Sequence, residues 1–191
     1  MSNIFIISGP SGAGEDSVIE GLRKYFEIER VITTTTRNMR QGESQKNPYH
    51  FVSREEFLEK IKTDKMAEHA EEYNKNFYGV TKEELERVSK SGKIGIWKIE
   101  YKGVMTAKKK FPQIKSIYIA APSLEIIRQR ILRRDSDVSE EYLNERMEYT
   151  KEWMKHKDIY DYKVVNEEGK LDETIRKVAK IIKSNLNAQL S

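Results

Sequence analysis

Ile4-Phe5-Ile6-Ile7-Ser8-Gly9-Pro10-Ser11-Gly12-Ala13-Gly14-Glu15-Asp16-Ser17 is the stretch on which the fold turns. From Ile4 to Ser8 it is a short apolar run that stops at Gly-Pro-Ser-Gly, the pattern of a buried parallel strand feeding a tight loop. Val18, Ile19, Leu22 and Phe26 follow at helical spacing. Strand, glycine-rich loop and helix thus succeed one another before Ile28, which is how an α/β unit begins.

The same alternation runs outward along the chain. The β-branched stretch 31–36 predicts a second strand, and the polar stretch 38–49 a loop. Phe57, Leu58 and Ile61 give 54–64 the apolar face of a short helix. A helix is expected over 82–91, closed by Gly92, then a strand over 94–99 and a basic amphipathic helix over 104–111. A buried strand is expected over 114–120, followed by Pro122. Helices over 124–134 and 140–156 flank the polar segment 135–139, and a last strand (162–165) and helix (171–186) complete the pattern. Strands alternating with helices predict an α/β fold with a mainly parallel central sheet.

The loop between the first strand and helix has the glycine spacing of a phosphate-binding P-loop, in which Gly, four residues and a second Gly precede Lys and Ser or Thr. Gly9 and Gly14 fit. Ser11, Gly12, Ala13, Gly14, Glu15, Asp16 and Ser17 are therefore candidates to cradle the phosphates of ATP. The lysine position, however, holds Glu15, and the hydroxyl position holds Asp16. A plain strand-to-helix turn with acids in the first helical turn, where they suit the helix dipole, is the alternative reading. Two unit charges about 4 Å apart interact by roughly 4 kcal/mol at an effective dielectric of about 20. Exchanging Lys for Glu removes one such attraction and adds one such repulsion, so another positive charge is expected in the site. Glu15 and Asp16 are hard oxygen donors; the pair is a candidate holder for K⁺ or a second divalent ion beside the Mg²⁺ that accompanies ATP.

Composition narrows the classes further. The net charge of +4 suits anionic small molecules. Absence of cysteine excludes disulfides, Cys-ligated zinc and thiol catalysis. The apolar run at the N-terminus is too short to span a bilayer and lacks a basic flank. A single domain without nucleic-acid or membrane partners, located in the cytoplasm, is the expectation; whether it is a monomer or a homodimer is left open.

Four further blocks follow the loop in order: Thr34-Thr35-Thr36-Arg37-Asn38-Met39-Arg40-Gln41-Gly42-Glu43, Tyr49-His50-Phe51-Val52, Glu68-His69-Ala70-Glu71 and Asn76-Phe77-Tyr78-Gly79. The chain resembles guanylate kinase, whose blocks read T-T-R-x-x-R-x-G-E, Y-x-F-V, E-x-A-E and N-Y-Y-G, and the resemblance covers nearly all of it. It implies a three-layer P-loop kinase fold with a small GMP-binding sub-domain and a helical lid. The implied division is a core of 1–32, 82–124 and 151–191, a GMP-binding sub-domain of 33–81 and a lid of 125–150.

The same resemblance implies the reaction, ATP-dependent phosphorylation of GMP by in-line transfer, with dGMP a second candidate acceptor and with ATP and GMP as partners. By the same token Arg37, Arg40, Tyr49 and Tyr78 hold the GMP phosphate, while Glu68, Thr33 and Glu100 lie at the guanosine. Val80 stands where the family has Ser or Thr after Tyr-Gly, and Lys98-Ile99-Glu100 replaces Asp-x-Asp. Lys98 thus brings a positive charge to an acidic position, where it is a candidate to replace the missing ammonium or to pair with Glu15. Arg133 and Arg146 match lid arginines that close over ATP, Arg134 lies one position out of register with another, and Asn166 matches a residue near the adenine. The implied catalytic set is Arg37, Arg133, Arg146 and Glu15. Two other functions compete: a catalytically inactive guanylate-kinase-like binding module, and a related small-molecule kinase such as ribose bisphosphate kinase, which shares Asp-Ser after the loop and Val after Tyr-Gly.

Overall fold

A computed structural model describes residues 1, 3–71, 75–135 and 139–188. Five strands, β1 (Ile4–Ser8), β2 (Ile28–Arg30), β7 (Ile94–Trp97), β8 (Lys115–Ala120) and β9 (Tyr162–Val165), form one sheet in the order β2-β7-β1-β8-β9. Every pairing in it is parallel. All five residues of β1 are buried, because helices cover both faces of the sheet and leave no polar side for alternation.

Alternate residues of β1 feed two separate cores. Phe5 and Ile7 pack with Val18 and Ile19 of α1 (Glu15–Gly21) and with Ile175, Val178 and Ile182 of α7 (Leu171–Asn187). Ile4 and Ile6 point to the other layer, built from α3 (Lys82–Ser89), α4 (Tyr101–Lys110) and α6 (Glu140–Lys155) around Leu85, Val104 and Trp153. The result is the three-layer α/β architecture expected from the sequence. Gly21 allows α1 its close approach to α7: a Cβ there would lie 2.2 Å from Ile175 Cδ1.

The expected strand over 31–36 is in fact broken. The main-sheet ladder ends where the Val31 N–H donates to Ile96 O. The next N–H, from Ile32, donates at 2.8 Å to the Glu84 carboxylate instead. The chain then crosses to a second, four-stranded sheet, entering it as β3 (Thr34–Thr35). β4 (His50–Phe51), β5 (Met66–Glu71) and β6 (Phe77–Thr81) complete it in the order β4-β3-β6-β5. α2 (Arg54–Lys62) opens with a capping box formed by Ser53 and Glu56 and packs Phe57 onto Phe77, their rings stacked at 5.2 Å. α5 (Leu124–Arg134) pairs with α6 through Ile127, Ile131 and Leu143. Of the polar segment between these two helices, residues 136–138 lie outside the described residues. No helix among the described residues is long and apolar enough to cross a membrane.

Candidate active site

The site opens at the carboxyl ends of β1 and β7, the edge at which open parallel sheets bind ligands. β1 runs directly into the loop, where Gly12 and Gly14 have φ of 85° and 91°. That conformation suits residues without a Cβ. A Cβ on Gly14 would also lie 2.4 Å from the Asn166 Nδ2. Asn166 is buried at 6% exposure. Its amide donates to Ala13 O at 2.9 Å and accepts from the Thr174 hydroxyl at 3.2 Å, so its side chain turns inward onto the loop.

Arg130 braces the same loop from α5, donating to Gly12 O (3.3 Å), Ala13 O (3.4 Å) and Asn166 O (2.9 Å). The sequence does not single out Arg130, because the four arginines of α5 carry no mark of which one faces inward. A groove of about 220 Å³ lies alongside, lined by Gly14, Ser17, Arg130, Asn166 and the 167–171 turn.

Glu15 opens α1, and its side chain is only 12% exposed. Lys98, the residue after β7, reaches across: its Nζ lies 3.2 Å from Glu15 Oε1 and 2.5 Å from Asp16 Oδ2. Asp16 has a second partner in Arg30, at 3.3 Å. Burial pushes the Glu15 carboxyl up, against the pull of Lys98. Burial also opposes the Asp16 and Lys98 charges, but Lys98 and then Arg30 hold Asp16 below its ordinary value, and Glu15 together with Asp16 holds Lys98 above its own. The two carboxylates thus share an ammonium, and among the described residues no group of three His, Cys, Asp or Glu side chains is placed to hold a metal ion.

On the other side of the opening, β3, β4 and β6 bring Arg37, Tyr49 and Tyr78 together. The rings of Tyr49 and Tyr78 meet edge-on at 6.0 Å, and the Arg37 guanidinium lies 5.4 Å from the Tyr49 ring centre. Glu43 holds Arg37 through one nitrogen, Nη2, which donates to both carboxylate oxygens at 2.8 and 3.0 Å, and it accepts from the Arg40 backbone N–H at 2.7 Å. Glu43 was visible within the quoted Gly-Glu block but carried no assigned role. The Arg40 side chain is exposed. Burial pushes the Tyr49 phenol up and Tyr78 adds to it, while Lys98 and Arg37 pull it down. Tyr49 therefore lies within reach of the Lys98 charge, which brings the Arg37 cluster to the border of the cleft at the loop.

Other predicted residues fall around this cleft. Glu68 is buried at 3% exposure. Its Oε2 sits against Gly103 of α4, where a Cβ would approach to 3.1 Å. Glu100 caps the start of α4 and accepts a hydrogen bond from the Tyr149 hydroxyl. Thr33 is half-buried at the crossover between the sheets. Val80, paired opposite Glu68, is buried in the core with Trp97 and Val104 rather than turned to the cleft. The three arginines expected in a lid have other partners: Arg133 pairs with Glu168 at 2.8 Å, Arg134 with Asp135 at 2.8 Å, and Arg146 donates to the Tyr142 hydroxyl at 3.0 Å.

Comparison with known proteins agrees with this geometry. The family model for guanylate kinase matches residues 1–185. A guanylate kinase of Buchnera aphidicola is 37% identical over 86% of this chain and 80% of its own length. One from Clostridium perfringens is 36% identical over 94% of this chain and 82% of its own. The crystal structure of guanylate kinase from Anaplasma phagocytophilum superimposes with a TM-score of 0.70 at 29% identity, covering 95% of this chain and 84% of that one. With a family model matched over nearly its whole length and relatives above one-third identity, this chain belongs to the guanylate kinase family.

Proposed function

We propose that this protein transfers the γ-phosphoryl group of ATP to GMP by direct in-line displacement, with no covalent intermediate, and that dGMP is also accepted. The observation that carries this reading is the placement of the Gly9–Ser17 loop and the Arg37–Tyr49–Tyr78 cluster on one cleft, with Lys98 sensed by both. Phosphoryl transfer asks little covalent chemistry of a protein; it needs two phosphates positioned in line and their charge stabilised.

In this reading the loop backbone receives the ATP phosphates, and the adenine lies in the groove between Arg130 and the 167–171 turn, beside Asn166. Arg37, Arg40, Tyr49 and Tyr78 receive the GMP phosphate, Arg37 exchanging Glu43 for phosphate oxygens. Guanine offers N1–H and an exocyclic amine on one edge, which the buried Glu68 carboxylate accepts, with Thr33 and Glu100 beside the guanosine. Residues 33–81 act as the acceptor-binding sub-domain and 125–150 as the lid. Closure moves Arg133, Arg134 and Arg146 from their present carboxylate and phenol partners onto the ATP phosphates.

Mg²⁺ arrives with ATP as part of the substrate. Asp16, standing where the P-loop pattern has a hydroxyl on Mg²⁺, has an exposed carboxylate whose hard oxygens fit that ion. The lysine's absence is met by a cationic side chain in preference to K⁺ or a second divalent ion, since an ammonium already bridges Glu15 and Asp16.

A coupled assay of ADP release with GMP, dGMP, AMP and ribose bisphosphate tests the reading. Turnover with GMP and dGMP is expected, and Glu68→Gln should raise KM for GMP at least tenfold, because an amide no longer accepts both guanine donors. Glu15 in the loop favours one other reading, a nucleotide- or phosphopeptide-binding module. Binding without turnover of any acceptor would replace the kinase reading with that one.

A further inference from the structure

The loop mouth carries a charge arrangement of its own. In the general P-loop pattern the cation rises from the residue after the second glycine; here that residue is Glu15, and the cation comes from the neighbouring strand. β7 lies next to β1 in parallel register, Trp97 opposite Ile6. That register delivers the following residue, Lys98, to the mouth of the loop that β1 feeds. Its Nζ sits 3.2 Å from the Glu15 carboxylate, at the end of the very side chain that replaces the lysine. Its charge also reaches the Tyr49 phenol.

We infer that Lys98 is the phosphate-binding cation of this site: held against Glu15 and Asp16 in the free loop, its ammonium moves onto the phosphoryl oxygens of bound ATP. The inference rests on the reading of the loop as an ATP site. Lysine suits the task, since its point charge rides on a flexible stem and its three donors can keep one carboxylate while engaging a phosphate. The neighbours permit the move. Arg30, 3.3 Å from Asp16, keeps that carboxylate paired when Lys98 leaves it. Arg134, whose charge also reaches Glu15, is held in a two-point fork by Asp135 at 2.9 and 2.8 Å and is less free to serve. Acid on the helix and base on the strand then form an ion pair with its polarity exchanged relative to the general pattern.

The test compares Lys98→Met, Lys98→Arg, the pair Glu15→Gln/Lys98→Met and the exchange Glu15→Lys/Lys98→Glu. The measurements are kcat, the KM values for ATP and GMP, ATP affinity by calorimetry without acceptor, and thermal unfolding to confirm folding. Lys98→Met should lower kcat roughly 10²–10³-fold, as loss of one transition-state donor does, and weaken ATP binding, with little change in KM for GMP. Lys98→Arg should retain part of the activity. Neutralising Glu15 beside Lys98→Met should not restore activity, which separates loss of the cation from exposure of an unpaired acid. The exchanged pair should recover to within about tenfold of the parent.

A folded Lys98→Met with kcat and ATP affinity within threefold of the parent overturns the inference. So does full recovery by the added Glu15→Gln, or an activity that depends on K⁺ and ignores Lys98. If the parent turns over no acceptor, the kinase reading fails; the calorimetric arm still decides Lys98, because ATP affinity either falls in Lys98→Met or does not.

Discussion

Replacing Asn166 by alanine removes a buried side chain that the sequence associates with adenine but whose amide is turned onto the phosphate loop. The substitution strips Ala13 O of its 2.9 Å donor and the Thr174 hydroxyl of its 3.2 Å acceptor. Neither group is orphaned completely: Ala13 O keeps a long bond from Arg130 at 3.4 Å, and the Thr174 hydroxyl keeps Lys170 O at 3.3 Å. Each loss therefore falls near the net value of about 1 kcal/mol rather than at the full cost of an unsatisfied group. The void left by the amide adds about 1 kcal/mol at most. A destabilisation of about 2–3 kcal/mol in a chain of this size lowers the melting temperature by about 4–12 °C. Scanning calorimetry and urea titration without nucleotide measure it. A melting temperature within 1–2 °C of the parent, accompanied by a large rise in KM for ATP, would refute the buttress argument and return Asn166 to the role of an adenine ligand.

Three other outcomes are expected. Glu43→Gln weakens the hold on Arg37 that the GMP phosphate must displace and should lower KM for GMP several-fold, measurable by steady-state kinetics, while leaving the melting temperature within a few degrees. Asp161 accepts from the Ser116 backbone and hydroxyl and from Lys108, contacts that hold its carboxyl below the usual range against burial. A depressed folded pKa means stability that is fully present above the unfolded value of about 3.9 and is lost as pH falls below it and through the folded value. Asp161→Asn should therefore cost stability at pH 7, roughly 1.5–3 kcal/mol, and much less at pH 3, as read from urea midpoints. Glu15 is raised by burial and faces Lys98, Asp16 and, at longer range, Arg134. Incoming phosphate charge raises it further, so ATP binding should take up a proton and tighten as pH falls. Calorimetry in buffers of different ionisation heat should show that uptake, and Glu15→Gln should abolish Glu15's share.

What the sequence reveals and what it conceals follow from where each structural cause lies. The β1–loop–α1 unit is legible because its causes are local: an apolar run buried on both faces, then glycines where the backbone turns left-handed. The blocks around Arg37, Tyr49, Glu68 and Tyr78 were legible in another way, through their resemblance to guanylate kinase. The small sheet was not. Thr34–Thr35 and His50–Phe51 are too short to show a period, and Met66–Glu71 is built from helix-forming residues that become a strand only by pairing with β6. The break after Val31 depends on Glu84, 52 residues further on. The charges of Glu15 and Lys98 were each visible. That they meet depends on β7 lying beside β1, which no local pattern states.

The loop's bracing also bears on the order in which the molecule is built. β1 and its loop come early in the chain, yet both strands flanking β1 come from beyond residue 90. The bond from Asn166 to Ala13 spans 153 residues, and that from Arg130 spans 117. Parallel pairing at such separations forms slowly, because long loops must close before any contact rewards them. During synthesis the phosphate loop thus emerges before the strands that flank it and acquires its working shape only after them. A nascent chain that stops short of Asn166 lacks this brace on the loop, so nucleotide binding should appear only after the segment carrying Asn166 has left the ribosome.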